Sequence, residues 1–499
     1  MKLLLSLFVC VILFGCNSKI ETNKNLSLCN GSECEKPETE TETETETEIA
    51  NQLSPSSAVG NLENTDVCNL ENQIHVSQDN GSGSLECGTV SNPCNTISNG
   101  IQRANYGQAV CIHAGTYNED NLRIKSGVWL ISADGTGKAK IFSDRSLAIR
   151  FDNVSDTGVD GLEIFGTWNS GNGEVGNNIR IEGLIRITGV NKNIKIYNSI
   201  IHDAPYDADV IKVSGETDGL VFDYIIAWSP GRRPSTKGTP FQEVIDLFGS
   251  YATDQNKNST HKGSLNNIVV RNSWLFHVAG RGDYLMYSKF NITNVIYENN
   301  IFGPTSGADD NQNPAIGVGT GEINSSKGQA LSPFGHIYKA IVRNNIFTGT
   351  NGDAALSVAN STDVLVQNNL FYNNSGPNLR SVIMLRGNFP GASVTDLSIN
   401  SNMFIENFPT KKGDPYFVRD REGSPVNFLM THNFFQNNVS SSDIDYEGDD
   451  TSVYHTTDSD PNLFTLNPIP EILNISDIYK NKQIFESIKA LADPSENFR

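Results

Sequence analysis

The chain has 499 residues, 57 acidic against 37 basic, and a formal net charge of −20. That balance excludes a nucleic-acid binder and a polybasic membrane-surface protein, which need a positive field. It leaves an anionic glycan possible as ligand, because charges more than about 8 Å apart are screened at physiological salt.

At the N-terminus, Lys2 precedes an apolar run that ends near Phe14. The run is too short to span a bilayer and reads as the core of a signal peptide. Leu13-Phe14-Gly15-Cys16 follows. It resembles the bacterial lipobox, in which a small residue precedes a cysteine that is acylated and becomes the new N-terminus. The resemblance implies that residues 1–15 are removed and that Cys16 is the lipidation site. Acyl chains there would anchor the protein without a transmembrane helix. Asn17, in place of Asp, implies by the same resemblance the bacterial outer membrane; exposure of the body at the cell surface is a separate expectation, with the periplasmic side left open. An ordinary signal peptide is the alternative.

Residues 16–66 read as a tether. The strict Thr-Glu alternation from Glu38 to Glu48 has no apolar face to bury, and its like charges repel. Of eight cysteines, Cys10 leaves with the signal and Cys16 carries lipid, so Cys29, Cys34, Cys68, Cys87, Cys94 and Cys111 remain. Export favours disulfides. Six cysteines allow fifteen pairings; joining near neighbours gives Cys29–Cys34 and Cys87–Cys94, then Cys68–Cys111. A zinc site is disfavoured by the absence of paired C-x-x-C spacing.

The body, residues 67–465, opens with a strand at Ile74-His75-Val76-Ser77 and a turn at Asp79-Asn80-Gly81. Ile97, Ile101 and Ala104 share one helical face, which predicts a short helix from Thr96 to Tyr106, ended by Gly107. The chain returns as a strand through Ala109–Ile112 and the turn Gly115-Thr116-Tyr117. This entry resembles that of parallel β-helix proteins of the pectate-lyase-like superfamily, in which a short helix plugs the open end.

A repeat follows. Alternating apolar residues, one or two Asn, then apolar residues recur at Ile194–Ile201, Val269–Phe276, Val295–Phe302, Ile341–Phe347 and Val364–Phe371. Weaker copies end in Asn402-Met403-Phe404 and Asn433-Phe434-Phe435, and Leu220–Ile226 is a divergent copy with Asp223 in the first Asn position. Such self-similarity predicts an all-β solenoid. The fold expected is a right-handed parallel β-helix with a short N-terminal capping helix and a C-terminal cap. The cap falls in residues 466–499, where Ile484, Ile488 and Leu491 form a helical stripe.

A second strand aligns in each coil: Val210-Ile211-Lys212-Val213, Val244-Ile245-Asp246-Leu247, Leu285-Met286-Tyr287-Ser288, Ala315-Ile316-Gly317-Val318 and Ala355-Leu356-Ser357-Val358. If the Ile/Met/Leu column points inward, Lys212, Asp246 and Tyr287 stack on an outward face about 5 Å apart. Asp207, Asp209 and Glu243 lie around them in sequence, with the insertion Trp228–Pro234 and then His277, Arg281, Asp283 and Lys289. The bland alternative is a solvated face of weak ion pairs.

Arg281–Tyr287 and Ala315–Gly321 resemble pieces of bacterial β-helix repeat proteins of no settled activity. The wider superfamily implies polysaccharide lyases, pectin-type hydrolases, esterases or glycan binders. β-Elimination of a uronate glycan needs a cation on the sugar carboxylate and a nearby base. The candidate catalytic residues are Lys212, Asp246, Tyr287 and Lys289, with a lysine acting as base if neighbouring cations depress its pKa. Candidate substrate contacts are Arg232, Arg233, His277 and Arg281. Ca²⁺ is the candidate cofactor, with Asp207, Asp209 and Asp283 as ligands and Asp246 able to join them. Asp443–Gly448 starts like a calcium loop, but Tyr454 stands at its twelfth position. The expected function is a monomeric, lipid-anchored surface protein that binds or processes polysaccharide, without nucleic acid. A non-catalytic host-glycan adhesin or a structural surface protein is the alternative.

Overall fold

The computed structural model describes residues 64–455 except 145–146, 168–182, 206–207, 231–241, 250–263, 278–281, 306–312, 320–336, 377, 387–393, 406, 410–415, 422–424, 432 and 437–453. All belong to one unit, Ile49–Arg499. Cys16, the tether, the pair Cys29 and Cys34, the Asp443 segment and the cap at 466–499 lie outside the described residues.

A complete coil supplies one strand to each of three parallel sheets. The coil beginning at Val190–Tyr197 continues through Ile200–His202 to Asp209–Ser214. Among the described residues the first sheet has 13 strands, the second 11 and the third 10, and each is ordered so that successive coils are neighbours. Parallel crossovers of this kind are right-handed, and the fold is a right-handed parallel β-helix.

Alternation places every second side chain inside. In the first sheet Ile196, Phe222, Val270, Tyr297, Val342, Val366 and Ile399 follow one another in register, and all are fully buried. After this column the chain must turn. Asn198, Asn272, Asn299, Asn344 and Asn368 do so in left-handed backbone, φ 46° to 57°, which Asn tolerates better than most residues.

In the divergent coil Tyr224 takes that left-handed place, φ 53°. Asp223 sits one position earlier, in register with Tyr197 and Arg271, and this corrects the alignment expected from sequence. The first-sheet register fixes the count, and Arg271 at 2.8 Å holds the Asp223 carboxylate in its outer column.

The next position carries a buried asparagine ladder. Asn300, Asn345, Asn369 and Asn402 each donate through Nδ2 to Oδ1 of the next member, ending at Asn433, over 2.9–3.0 Å. Each also donates to a carbonyl of the preceding coil, so both amide protons are satisfied without water. Beneath them the rings of Phe302, Phe347, Phe371 and Phe404 stack at 4.6–5.2 Å.

The N-terminal end is closed as the sequence implies. Helix α1 (Asn64–Cys68) is tied to the first sheet by Cys68–Cys111, and a second disulfide joins Cys87 to Cys94. Helix α2 (Ile97–Arg103) buries Ile97 and Ile101 against the first coils. Thr96 Oγ1 accepts from Asn99 N, and the Glu119 carboxylate accepts from Ile97 and Ser98 N; both cap the helix start. The helix stops at Arg103, short of Tyr106, because Ala104 is already extended and Gly107 N donates to Gly127 O of the next coil.

Candidate functional site

The candidate site lies on the third sheet, on strands Asp209–Ser214, Ile245–Phe248 and Met286–Lys289. Ile211, Ile245 and Met286 are buried in the core, and Lys212, Asp246 and Tyr287 are in register on the opposite face. This is the column the alternation implies. In the next coil the column holds Gly317, where a Cβ would fall 2.6 Å from the Tyr287 ring and 3.1 Å from Tyr284. Glycine makes room for those two rings, which stack at 4.0 Å.

Charges interlock across the column. Lys212 Nζ lies 2.8 Å from both Asp209 Oδ2 and Asp246 Oδ2. Lys289 Nζ lies 2.5 Å from Glu243 Oε1, 3.2 Å from Asp246 Oδ1 and 4.4 Å from the Tyr287 ring centre. Asp209 Oδ1 also accepts from Glu243 N at 2.9 Å. Asp209 is fully buried and Asp246 is 2% exposed, while the side chains of Lys212 and Lys289 keep 18% and 14% of their surface. Two partly exposed lysines thus cover two buried carboxylates.

Burial shapes the protonation states. It works against charge on Lys212, but Asp209, Asp246 and Glu243 outweigh it and raise the pKa. The same holds for Lys289, raised well above its ordinary value against burial by Asp246 and Glu243. Neither lysine is a base near neutral pH, the reverse of what depression by cations would give. Burial raises Asp209 well above a usual carboxylate despite Lys212, with Glu243 and Asp246 adding to the rise. Burial also acts on Asp246, but Lys212 and Lys289 hold it low. Neighbouring acids with separated proton affinities mark acid–base sites as well as ion-pair networks.

Ca²⁺ does not fit this donor set. Oxygens of Asp209, Glu243 and Asp246 lie within 4.8 Å of one another, but the two lysine ammonium groups already stand against all three. A divalent ion would have to displace a buried, paired lysine. Asp283 is not part of the group; its Oδ1 accepts from Asn313 Nδ2. Asp207, Arg232, Arg233 and Arg281 lie outside the described residues. His277 is 4% exposed and packs against Gly282; burial pulls its pKa down to about 3, against a Tyr284 backbone contact, so it is neutral at physiological pH. Glu243 and Tyr284 complete the cluster. Each stands immediately before an aligned strand, Glu243 before Val244 and Tyr284 before Leu285; sequence reasoning named Glu243 beside the column and missed Tyr284.

No helix among the described residues is long and apolar enough to cross a membrane. No family model matches the chain, and no curated protein matches it in sequence. Solved structures do match. An alginate lyase from Paenibacillus sp. is 13% identical, with 68% of this chain and 92% of that one covered and a TM-score of 0.40. PfbA, a surface adhesin of Streptococcus pneumoniae, is 15% identical, covering 68% and 88% at a TM-score of 0.44. The A-module of the mannuronan C-5 epimerase AlgE4 of Azotobacter vinelandii is 14% identical, covering 73% and 96% at a TM-score of 0.41.

Proposed function

We propose that the protein binds a polysaccharide across the outer face of the third sheet and cleaves it by β-elimination beside a sugar carboxylate. The observation that carries this reading is the pair of partly exposed lysines, Lys212 and Lys289, fixed on buried carboxylates next to Tyr287. In this reading the ammonium groups neutralise the uronate carboxylate, which acidifies the adjacent C–H. Tyr287, as the phenolate beside the Lys289 ammonium, takes that proton, a carbon–carbon double bond forms as the glycosidic C–O bond breaks, and the resulting phenol gives the proton to the leaving oxygen, restoring the phenolate. The buried carboxylates hold the lysines charged and in place, and no step passes through a metal. Lipidation at Cys16 and attachment to the outer membrane belong to the same proposal.

The test incubates the full-length protein with uronate-containing and neutral polysaccharides, following ultraviolet absorbance of unsaturated products and new reducing ends. Absorbance from a uronate polymer, lost in Tyr287→Phe and Lys289→Ala, supports the reading. Reducing ends without absorbance point instead to hydrolysis by the carboxylates. Binding without turnover makes the protein an adhesin.

A further inference from the structure

Lys212 ends a longer row. On the third sheet Arg123 pairs in register with Arg150, Arg150 with Arg186, and Arg186 with Lys212. The residues on either side of each are buried in the core, so all four side chains leave the sheet on its outer face. Four cations therefore occupy four successive coils, about 4.8 Å apart, in a chain of net charge −20.

The first sheet arranges its outward charges differently. There Asp223, Arg271, Glu298 and Arg343 follow in register with alternating sign, and ion pairs of 2.8 and 2.9 Å form between them. Like charges directly opposite on neighbouring strands repel, and on the third sheet the sign is kept instead. Asp152, 3.2 Å from Arg150 Nη2, offsets part of the repulsion. Beyond Tyr287 the same column continues as Gly317, Ser357, Met384 and Arg419. The unbroken run of cations in adjacent coils lies on one side of the cluster; on the other a single cation stands four coils beyond Tyr287.

We infer that this row is a track for a linear polyuronate, with one sugar carboxylate per coil on Arg123, Arg150, Arg186 and Lys212. Guanidinium forks match carboxylates in bidentate geometry, and one pyranose in an extended chain is about as long as one coil step. The position of the cut, over the carboxylate–lysine cluster, rests on the proposed elimination; the track does not. Grip on one side alone makes binding depend on chain length.

The test uses the full-length protein with size-defined oligomers of a 1,4-linked uronic acid and neutral oligomers of equal length, reading affinity and turnover separately. Affinity is expected to rise with each added uronate to about the fourth, which fills Arg123, Arg150, Arg186 and the cluster at Lys212, and to fall with salt. Replacing Arg150 and Arg186 by Ala should weaken hexamer binding about tenfold for each arginine. The Arg150→Lys, Arg186→Lys pair should recover much of it. Affinity that ignores length, equal binding of neutral oligomers, or unchanged binding in the alanine pair overturns the track. Length-dependent, arginine-dependent binding without turnover keeps the track and removes the elimination. Turnover with arginine-independent binding does the opposite.

Discussion

Replacing Lys212 with Met keeps the side-chain length and removes the charge. Two buried carboxylates, Asp209 and Asp246, then lose the ammonium that lies 2.8 Å from each. Breaking a buried ion pair by removing one partner costs about 3–5 kcal/mol. Lys289 still stands 3.2 Å from Asp246 Oδ1, so the lower end, about 3 kcal/mol, is expected at pH 8. Asp209 decides the pH dependence. Its folded pKa is raised, chiefly by burial, so the native state holds a proton that the unfolded chain gives up. Stability linked to it is present at low pH and is lost as pH rises through the folded value. Loss of Lys212, which pulls that pKa down, widens the window upward. Urea unfolding of wild type and variant at pH 8 and pH 5 should therefore show a difference that shrinks by half or more at pH 5. A difference below about 1 kcal/mol at both values would mean a solvated, screened cluster, and the reasoning would fail.

Three further outcomes are expected. Asn345→Ala removes the acceptor of Asn300 N at 2.9 Å and Nδ2 at 3.0 Å, and two stranded buried donors should cost roughly 2–6 kcal/mol in denaturant unfolding. Burial works against a charged His202, but Asp203 at 2.7 Å and Glu163 at 3.5 Å raise its pKa above the ordinary 6.5. Its stabilisation should be complete below about that pH and fade as pH rises through the folded value; an imidazole NMR titration at or below 6.5 would contradict this. Replacing Cys68 and Cys111 by Ala opens the disulfide that ties α1 to the first sheet and should lower unfolding stability by about 2–5 kcal/mol.

The solenoid, the asparagine corners, the helix at the N-terminal end and the column Lys212–Asp246–Tyr287 were all legible in the order of residues. Strand alternation has a period of two and the repeat stacks like on like, so aligning the copies already places residues on faces. The row Arg123–Arg150–Arg186 obeys the same rule. It stayed hidden because these coils lack the Asn-Asn signature by which the later ones align. The Asp223 alignment slipped by one for a related reason, since nothing local distinguishes Asp223 from Tyr224 as the turning residue. The charge states follow from the folded arrangement and not from residue order. The groups that set them come from different coils: Glu243 meets Lys289 across 46 residues and Asp209 shares Lys212 with Asp246. Sequence showed cations and acids converging between residues 203 and 289, but proton affinity depends on which oxygen meets which nitrogen in a dry site. That contact list makes Lys212 and Lys289 permanent cations rather than bases.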